Sequence, residues 1–355
     1  MRVGGPAREV IDAETEQQLL DAAHEVWGGQ EEWLVLGGGS NLVVADEGFD
    51  GTVIRVLTKG IERLESAQGT VRLRVQAGES WDALVAHAVD NGWAGIEGLS
   101  GIPGSCGAAP IQNIGAYGQE LSDSLAHIDF LDYLDGDLAR LTATDLGLGY
   151  RTSAIKEGRQ GVVMAIELDL IDTGDGLSTP IAYDQLAAAL GVELGTRVAL
   201  STVRETVLAL RASKGMVLDP ADPDSVSSGS FFTNPVVGEN FARTLPEDAP
   251  RWPMEQDPQD AVVPLGEQPA LPPQSFDHRV KLSAAWLIAR AGIGKGFRLP
   301  GSRAAISSKH TLAIVNTGDA TADEIAQLAR YVHTRVFSEF GVRVQAEPNL
   351  VGVQL

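Results

Sequence analysis

The stretch that decides the fold runs from Gly98 to Glu120, GLSGIPGSCGAAPIQNIGAYGQE. It holds six glycines and two prolines, and its only charge is the terminal Glu120. A surface linker of this length would carry Lys, Glu or Ser to stay solvated. A regular helix or strand does not tolerate so much glycine and proline. The expectation is a buried or half-buried loop whose backbone comes very close to a partner. Its free N–H groups need acceptors, and the phosphate oxygens of a ligand can supply them. From these residues alone, a long irregular turn packed on the core is the other reading.

Upstream, Thr15 and Gln18 make a capping box for a helix from Thr15 to Gly29, with an apolar stripe at Leu19, Leu20, Ala23 and Val26. The short strand Trp33 to Leu36 then runs into Gly37-Gly38-Gly39-Ser40-Asn41 and on to the apolar run Leu42 to Ala45. This second glycine turn is a candidate diphosphate cradle. It is not a dinucleotide fingerprint, because Leu42 stands where the last glycine belongs and a strand follows. It is not an NTPase phosphate loop either, because it has no lysine. Thr52 to Leu57 and Val71 to Ala77 read as strands, and Ser80 caps a helix from Trp81 to Asn91.

Composition bounds the function. The 355 residues suffice for two or three domains with a large core. A net charge of −21 argues against nucleic acid or an anionic membrane surface as partner. An anionic ligand would need a local cluster of cations. The single cysteine, Cys106, allows no intrachain disulfide and reads as a small packed residue. No apolar run reaches the length of a membrane span and no signal core opens the chain, so the expected place is the cytoplasm. There is no Cys/His metal spacing and no G-x-S-x-G elbow.

Downstream of the glycine loop, Ile128–Tyr133, Leu138–Leu141 and Val162–Ile171 read as strands, with a polar turn at Gly149 to Ser153. Thr202 and Glu205 read as a second capping box for a helix to about Ser213 that presents Arg211 and Lys214 near its C-terminal end. A loop from Leu218 to Ser228 leads into Gly229-Ser230-Phe231-Phe232-Thr233-Asn234-Pro235. Taken alone, Ser230 is a turn or cap serine and Glu347 a surface residue before Pro348. Pro246 to Ser275 holds eight prolines and reads as an exposed, partly mobile insertion. Leu282–Ala291 reads as a helix and His310–Val315 as a strand. A long helix capped by Thr321 and Glu324 runs to Phe340, followed by strands at Val342–Ala346 and Leu350–Leu355.

Several of these stretches together resemble the UDP-N-acetylenolpyruvoylglucosamine reductase family (UDP-N-acetylmuramate dehydrogenase, MurB). They are LGGGSNLV from Leu36, GIPGSCGAAPIQNIGAYGQEL from Gly101, GYRTSAIK from Gly149, AYDQL from Ala182, RASK from Arg211, GSFFTNPVV from Gly229, VKLSAAWLI from Val280 and AEPNLVG from Ala346. They fall in the family's order along essentially the whole chain.

The resemblance implies an α+β fold, with a vanillyl-alcohol-oxidase (PCMH)-type FAD-binding unit of two subdomains, 1–67 and 68–213. A separate α+β substrate-binding domain, 214–355, follows, and its last residues pack back on the FAD-binding unit. Tyr183 marks the longer form, in which a tyrosine loop covers the substrate. Non-covalent FAD is expected on Gly37, Gly38, Gly39, Ser40 and Asn41, and on Gly101, Ile102, Pro103, Gly104, Ser105, Gly107, Gln112, Asn113, Gly115, Ala116, Tyr117 and Gly118. NADPH is the co-substrate. Ser230 is expected to give a proton, with Arg151 and Glu347 holding the substrate carboxylate. Tyr183, Arg211, Lys214, Asn234 and Lys295 are expected to fix the UDP-sugar, UDP-N-acetylglucosamine enolpyruvate, and Trp252 is a candidate near its phosphates. A monomer is expected. The rival readings are a flavin oxidase of the same fold, which would lack GSFFTNP and the Glu347 turn, and a non-catalytic UDP-sugar binder.

Overall fold

The computed structural model describes residues 1–29, 31–254 and 279–355. Strands Ala7–Ala13 and Glu32–Leu36 both run parallel to Phe49–Val56, which lies between them. Strands running the same way cannot be joined by a tight turn, and helix Glu16–Trp27 connects Ala7–Ala13 to Glu32–Leu36 across the sheet. Thr15 and Gln18 form the capping box read from the sequence, and Leu19, Ala22, Ala23 and Val26 are the buried stripe.

The second sheet has the order Leu138–Thr142, Leu125–Asp132, Gly161–Asp172, Thr70–Gln76, Ile61–Leu64, with every neighbouring pair antiparallel. Gly161–Asp172 is central, so most of its length is buried. Ser80 caps helix Trp81–Asp90, whose Trp81, Leu84, Val85 and Ala88 join one continuous core with both sheets. Because Ile61–Leu64 pairs with Thr70–Gln76, the chain has entered the second sheet before residue 67.

A second core forms around Phe231, Phe232, Leu287, Ile325, Leu328 and Val332. Around it lie the three-stranded sheet of Val236–Gly238, Arg279–Leu282 and Arg251–Pro253, the hairpin Ala304–Ile306 with Ile314–Asn316, and helix Ala322–Phe340. Two features tie it to the first unit. Strand Asn349–Val351 returns to pair in parallel with Leu42–Val44. The Asp46 carboxylate accepts from the amides of Ala322 and Asp323 at 2.8 and 3.0 Å, capping the long helix from the other unit. No helix among the described residues is long and apolar enough to cross a membrane.

Several sequence expectations need correction. The loop from Gly98 contains short regular pieces after all, a 3-10 helix at Cys106–Gln112 and a two-residue hairpin of Gly115–Ala116 with Gln119–Glu120. Pro110 lies inside this run and has no amide to donate, so the run is not a continuous α-helix. Thr202 is not a cap: the helix is Leu200–Ser213 with Ala199 at its N-cap. Its entry is fixed earlier, by the amide of Leu200 on the carbonyl of Gly176 and that of Ser178 on Val198. Leu282 ends a strand, and Ser283 caps the helix Ala284–Arg290. His310 lies in a turn ahead of Ile314–Asn316. Val342–Ala346 is no strand; Ala346 makes a single bridge to Phe232. Ala7–Ala13 and Ile61–Leu64 are strands that sequence reading missed. Of the Pro-rich stretch, Arg251–Pro253 is a strand, and 255–275 lies outside the described residues.

Gly107 shows how little room the central loop has. Its amide bonds to the carbonyl of Ala77 at 2.8 Å, and a Cβ there would lie 2.5 Å from the Cβ of Ala77. Neither backbone can retreat without breaking that bond. Gly107→Ala is expected to cost about 1–3 kcal/mol of stability. The check is the denaturant midpoint, which should fall at unchanged slope; an unshifted midpoint would contradict the tight contact.

Candidate active site

Two glycine turns meet back to back. Strand Glu32–Leu36 does not form a hairpin with Leu42–Val44; each pairs elsewhere, which leaves Gly37 to Asn41 as an open turn. A Cβ at Gly38 would lie 2.9 Å from the Cα of Gly104, and one at Gly37 would collide with Ser105 Oγ. Gly39 and Gly104 have φ of 62° and 119°, which favour glycine. The Ser40 hydroxyl donates to the carbonyl of Pro103 at 3.1 Å and pins the turns together. The amides of Gly38, Gly39, Ser40 and Asn41, and those of Gly104 and Ser105 against them, find no acceptor among the described residues. They form a nest of donors suited to a diphosphate.

This nest opens into a cleft of about 510 Å³. Its walls bring together Gly37 to Asn41, Ile102 to Ser105, Gln112, Gly115, Arg151, Arg211, Ser230 and Glu347. Leu34, Ile111 and Ile114 add apolar surface for a flat ring system.

Arg151 stands in the left-handed region at φ 56°, a cost that a non-glycine residue bears only where its surroundings fix it. Its guanidinium donates to the carbonyls of Asn113 and Gly115 at 3.1 and 2.6 Å. Its Nε lies 3.7 Å from Glu347 Oε1, too far for a hydrogen bond. The Gln112 amide donates to the same carboxyl at 3.4 Å. Burial pushes the Glu347 carboxyl above the usual carboxylate range, with Arg151 and Lys156 pulling against it.

Ser230 reaches this cleft because two loops are bonded through their backbones. The Glu347 amide donates to the carbonyl of Phe231 at 2.8 Å, and Phe232 bridges Ala346. Phe231 and Phe232 are buried with their rings 5.1 Å apart, so the loop is anchored in the second core just after Ser230. Gly229, at φ 77°, makes the turn before it.

The cations predicted for the UDP-sugar divide. Arg211 is 7% exposed, donates to the carbonyl of Met216 at 3.3 Å and leaves Nε without a partner among the described residues. Burial, then the charge of Arg211, lowers the Lys214 ammonium; that ammonium donates to Gln185 at 2.9 Å and sits 5.5 Å over the ring of Tyr117. Tyr117 meets Tyr183 edge to face at 5.8 Å. Lys295 is exposed on its turn. The Asn234 amide oxygen accepts from Ala284 at 3.0 Å, capping that helix, and Asn234 borders a neighbouring cavity that Arg151 also lines. Trp252 stands 47% exposed on its strand.

Some of the expected cofactor residues already have partners or close packing within the protein. The Asn113 side chain is spent on Glu120, Ser122 and the carbonyl of Gly149. Gly107 packs on Ala77, and a Cβ at Gly101 would strike Leu208. Cys106 is fully buried and burial drives its thiol pKa far up, so it is no nucleophile for a covalent flavin link. Two residues escaped sequence reading. Lys156 donates to the carbonyl of Glu347 at 2.9 Å, and His310 Nε2 lies 3.1 Å from Ser230 Oγ. Lys156 closes the motif GYRTSAIK, and that was the available signal; an isolated His in a loop gave none.

The cleft fits FAD: unpaired amides for the diphosphate and apolar walls for the ring, with Arg151, Glu347 and Ser230 lining the same cleft. Comparison with known proteins agrees. The profile described as "FAD binding domain" matches residues 7–142, and "UDP-N-acetylenolpyruvoylglucosamine reductase, C-terminal domain" matches 220–351. The UDP-N-acetylenolpyruvoylglucosamine reductase of Leifsonia xyli is 58% identical, over all of this chain and 97% of that protein. That of Saccharopolyspora erythraea is 48% identical, over all of this chain and 93% of that protein. The crystal structure of the reductase (MurB) from Thermus caldophilus is similar with a TM-score of 0.58 at 26% identity, covering 96% of this chain and 91% of that one. With both halves matched and relatives aligned from end to end, the chain belongs to the UDP-N-acetylenolpyruvoylglucosamine reductase family.

Proposed function

We infer that this protein reduces UDP-N-acetylglucosamine enolpyruvate to UDP-N-acetylmuramate with FAD and NADPH, as a monomer in the cytoplasm, in peptidoglycan precursor synthesis. The observation that carries the reading is the bonding of the Ser230 loop to the Glu347 turn beside Arg151, in the cleft that the glycine cradle lines. FAD bound in the cradle supplies hydride transfer from NADPH to the terminal vinyl carbon of the enolpyruvyl ether. Hydride addition there leaves the adjacent carbon carrying an electron pair, delocalised into the carboxylate. Arg151 and a protonated Glu347 hold that carboxylate and its growing charge. Ser230 gives its proton to the adjacent carbon; an alcohol is a weak acid, but this acceptor is strongly basic. Arg211 and Lys214 anchor the diphosphate, with Tyr183, Asn234 and Lys295 in supporting roles. GSFFTNP and the Glu347 turn weigh against an oxidase of the same fold, and the presence of Ser230, Arg151 and Glu347 together weighs against a bare UDP-sugar binder.

Three measurements test this. Gly38→Val is expected to purify with little or no flavin and to weaken FAD binding roughly tenfold or more, because the added side chain fills the cradle; full occupancy would contradict the cradle. Ser230→Ala should slow reoxidation of the reduced flavin by the enolpyruvyl sugar roughly 10²–10⁴-fold, while reduction by NADPH stays near wild type. Stopped-flow measurement of each half-reaction decides it, and reoxidation at the wild-type rate would remove Ser230 as donor. Glu347 acts in its protonated form, and its raised pKa extends that form upward in pH. Reoxidation should therefore slow as pH rises through that pKa, and Glu347→Gln, which cannot ionise, should lose this limb. A rate that climbs with pH over the same range would mean that the carboxylate is the working form.

A further inference from the structure

We propose that His310 is a positioning residue for Ser230: its imidazole donates Nε2–H to the serine Oγ, so that the hydroxyl proton is left to point into the cleft. The proposal rests on the reading of Ser230 as proton donor. Ser230 Oγ and His310 Nε2 are 3.1 Å apart. A hydroxyl has one proton and two lone pairs, and a neutral imidazole has one N–H and one bare nitrogen. If Nε2 were bare, the only serine proton would be spent on it and none would face the substrate. If Nε2 carries hydrogen, Ser230 accepts there and keeps its proton free.

The pairing is built by the backbone on both sides. Ser307 Oγ accepts from the amides of Lys309 and His310 at 3.0 and 3.1 Å, and Asp224 holds the Ser308 amide at 3.1 Å. Lys309 pairs with Asp222 at 2.8 Å. Two residues beyond His310, the carbonyl of Leu312 takes the amide of Phe231 at 2.7 Å, next to Ser230. The turn therefore sets the imidazole against the hydroxyl before any substrate arrives. Burial, with the charges of Lys214, Lys295 and Arg211, keeps His310 down to about 4, so a single N–H is available at neutral pH. As the proton leaves Ser230, negative charge grows on Oγ and the bond from Nε2–H strengthens. That lowers the cost of using an alcohol as the acid.

The test compares two side chains of similar polarity and different reach. The amide of His310→Gln can place an N–H near the position of Nε2, whereas His310→Asn is too short. With bound flavin confirming the fold, His310→Asn should slow reoxidation by the enolpyruvyl sugar roughly 10–100-fold, leave flavin reduction by NADPH and the KM for the sugar near wild type, and be largely rescued in His310→Gln. Added to Ser230→Ala, His310→Asn should cause no further slowing, because the two residues act as one unit. Wild-type reoxidation in His310→Asn, equal defects in Asn and Gln, or an undiminished effect on top of Ser230→Ala would each overturn the proposal. Failure of the underlying reading is seen separately, as fast reoxidation in Ser230→Ala alone.

Discussion

The main chain of Glu347 is the point on which the site depends. Its amide is bonded to Phe231, and its carbonyl takes Lys156 at 2.9 Å and Asn41 at 3.3 Å. Three segments far apart in sequence thus meet at one residue: the serine loop, the glycine turn and the arginine turn. With the backbone held this way, the carboxyl is carried into a half-buried place where no hydrogen bond from Arg151 reaches it. A carboxylate there loses part of its hydration. That loss raises its pKa, against the pull of Arg151 and Lys156.

Strain collects at the same place. Besides Arg151, the non-glycine residues Asn113 and Tyr117 have positive φ, at 43° and 50°. Each is held by the loop around it: Asn113 by the bonds of its own side chain, Tyr117 by the hairpin that it turns. Such strain marks a backbone shaped for what it must face and not for its own comfort. The global charge of −21 poses the opposite problem, an acidic protein reading an anionic sugar nucleotide. Arg211, Lys214 and Lys295 gather near Ser230 and His310, close enough to lower the pKa of that imidazole. On the proposed reading, their attraction over a few ångströms outweighs a distributed charge that salt screens within about 10 Å.

Much of this was legible in the sequence, for physical reasons. Glycine and proline at Gly98–Glu120 exclude a long helix or strand, which left close backbone approach or an irregular packed turn, and the Gly37–Gly39 turn packs on Gly104 and Ser105. Capping boxes at Thr15 and Thr321 were correct because an apolar stripe follows each at once. The same signature failed at Thr202, where tertiary bonds to Gly176 and Val198 start the helix earlier. Strand Ala7–Ala13 was missed because its alternation is mostly charged and exposed, and its pairing with Phe49–Val56 depends on distant residues. His310 could not be read at all, since only the fold brings it 80 residues back to Ser230.

The central claim is that the fold holds the Glu347 carboxyl above the usual carboxylate range. Isotope-edited infrared spectroscopy of protein carrying ¹³C-labelled glutamate, recorded across pH, tests it directly. The account predicts that the carbonyl stretch of one protonated glutamic acid persists to higher pH than the rest and is missing in Glu347→Gln. A spectrum in which every such band is lost together, or a persistent band unaffected by that substitution, would contradict it.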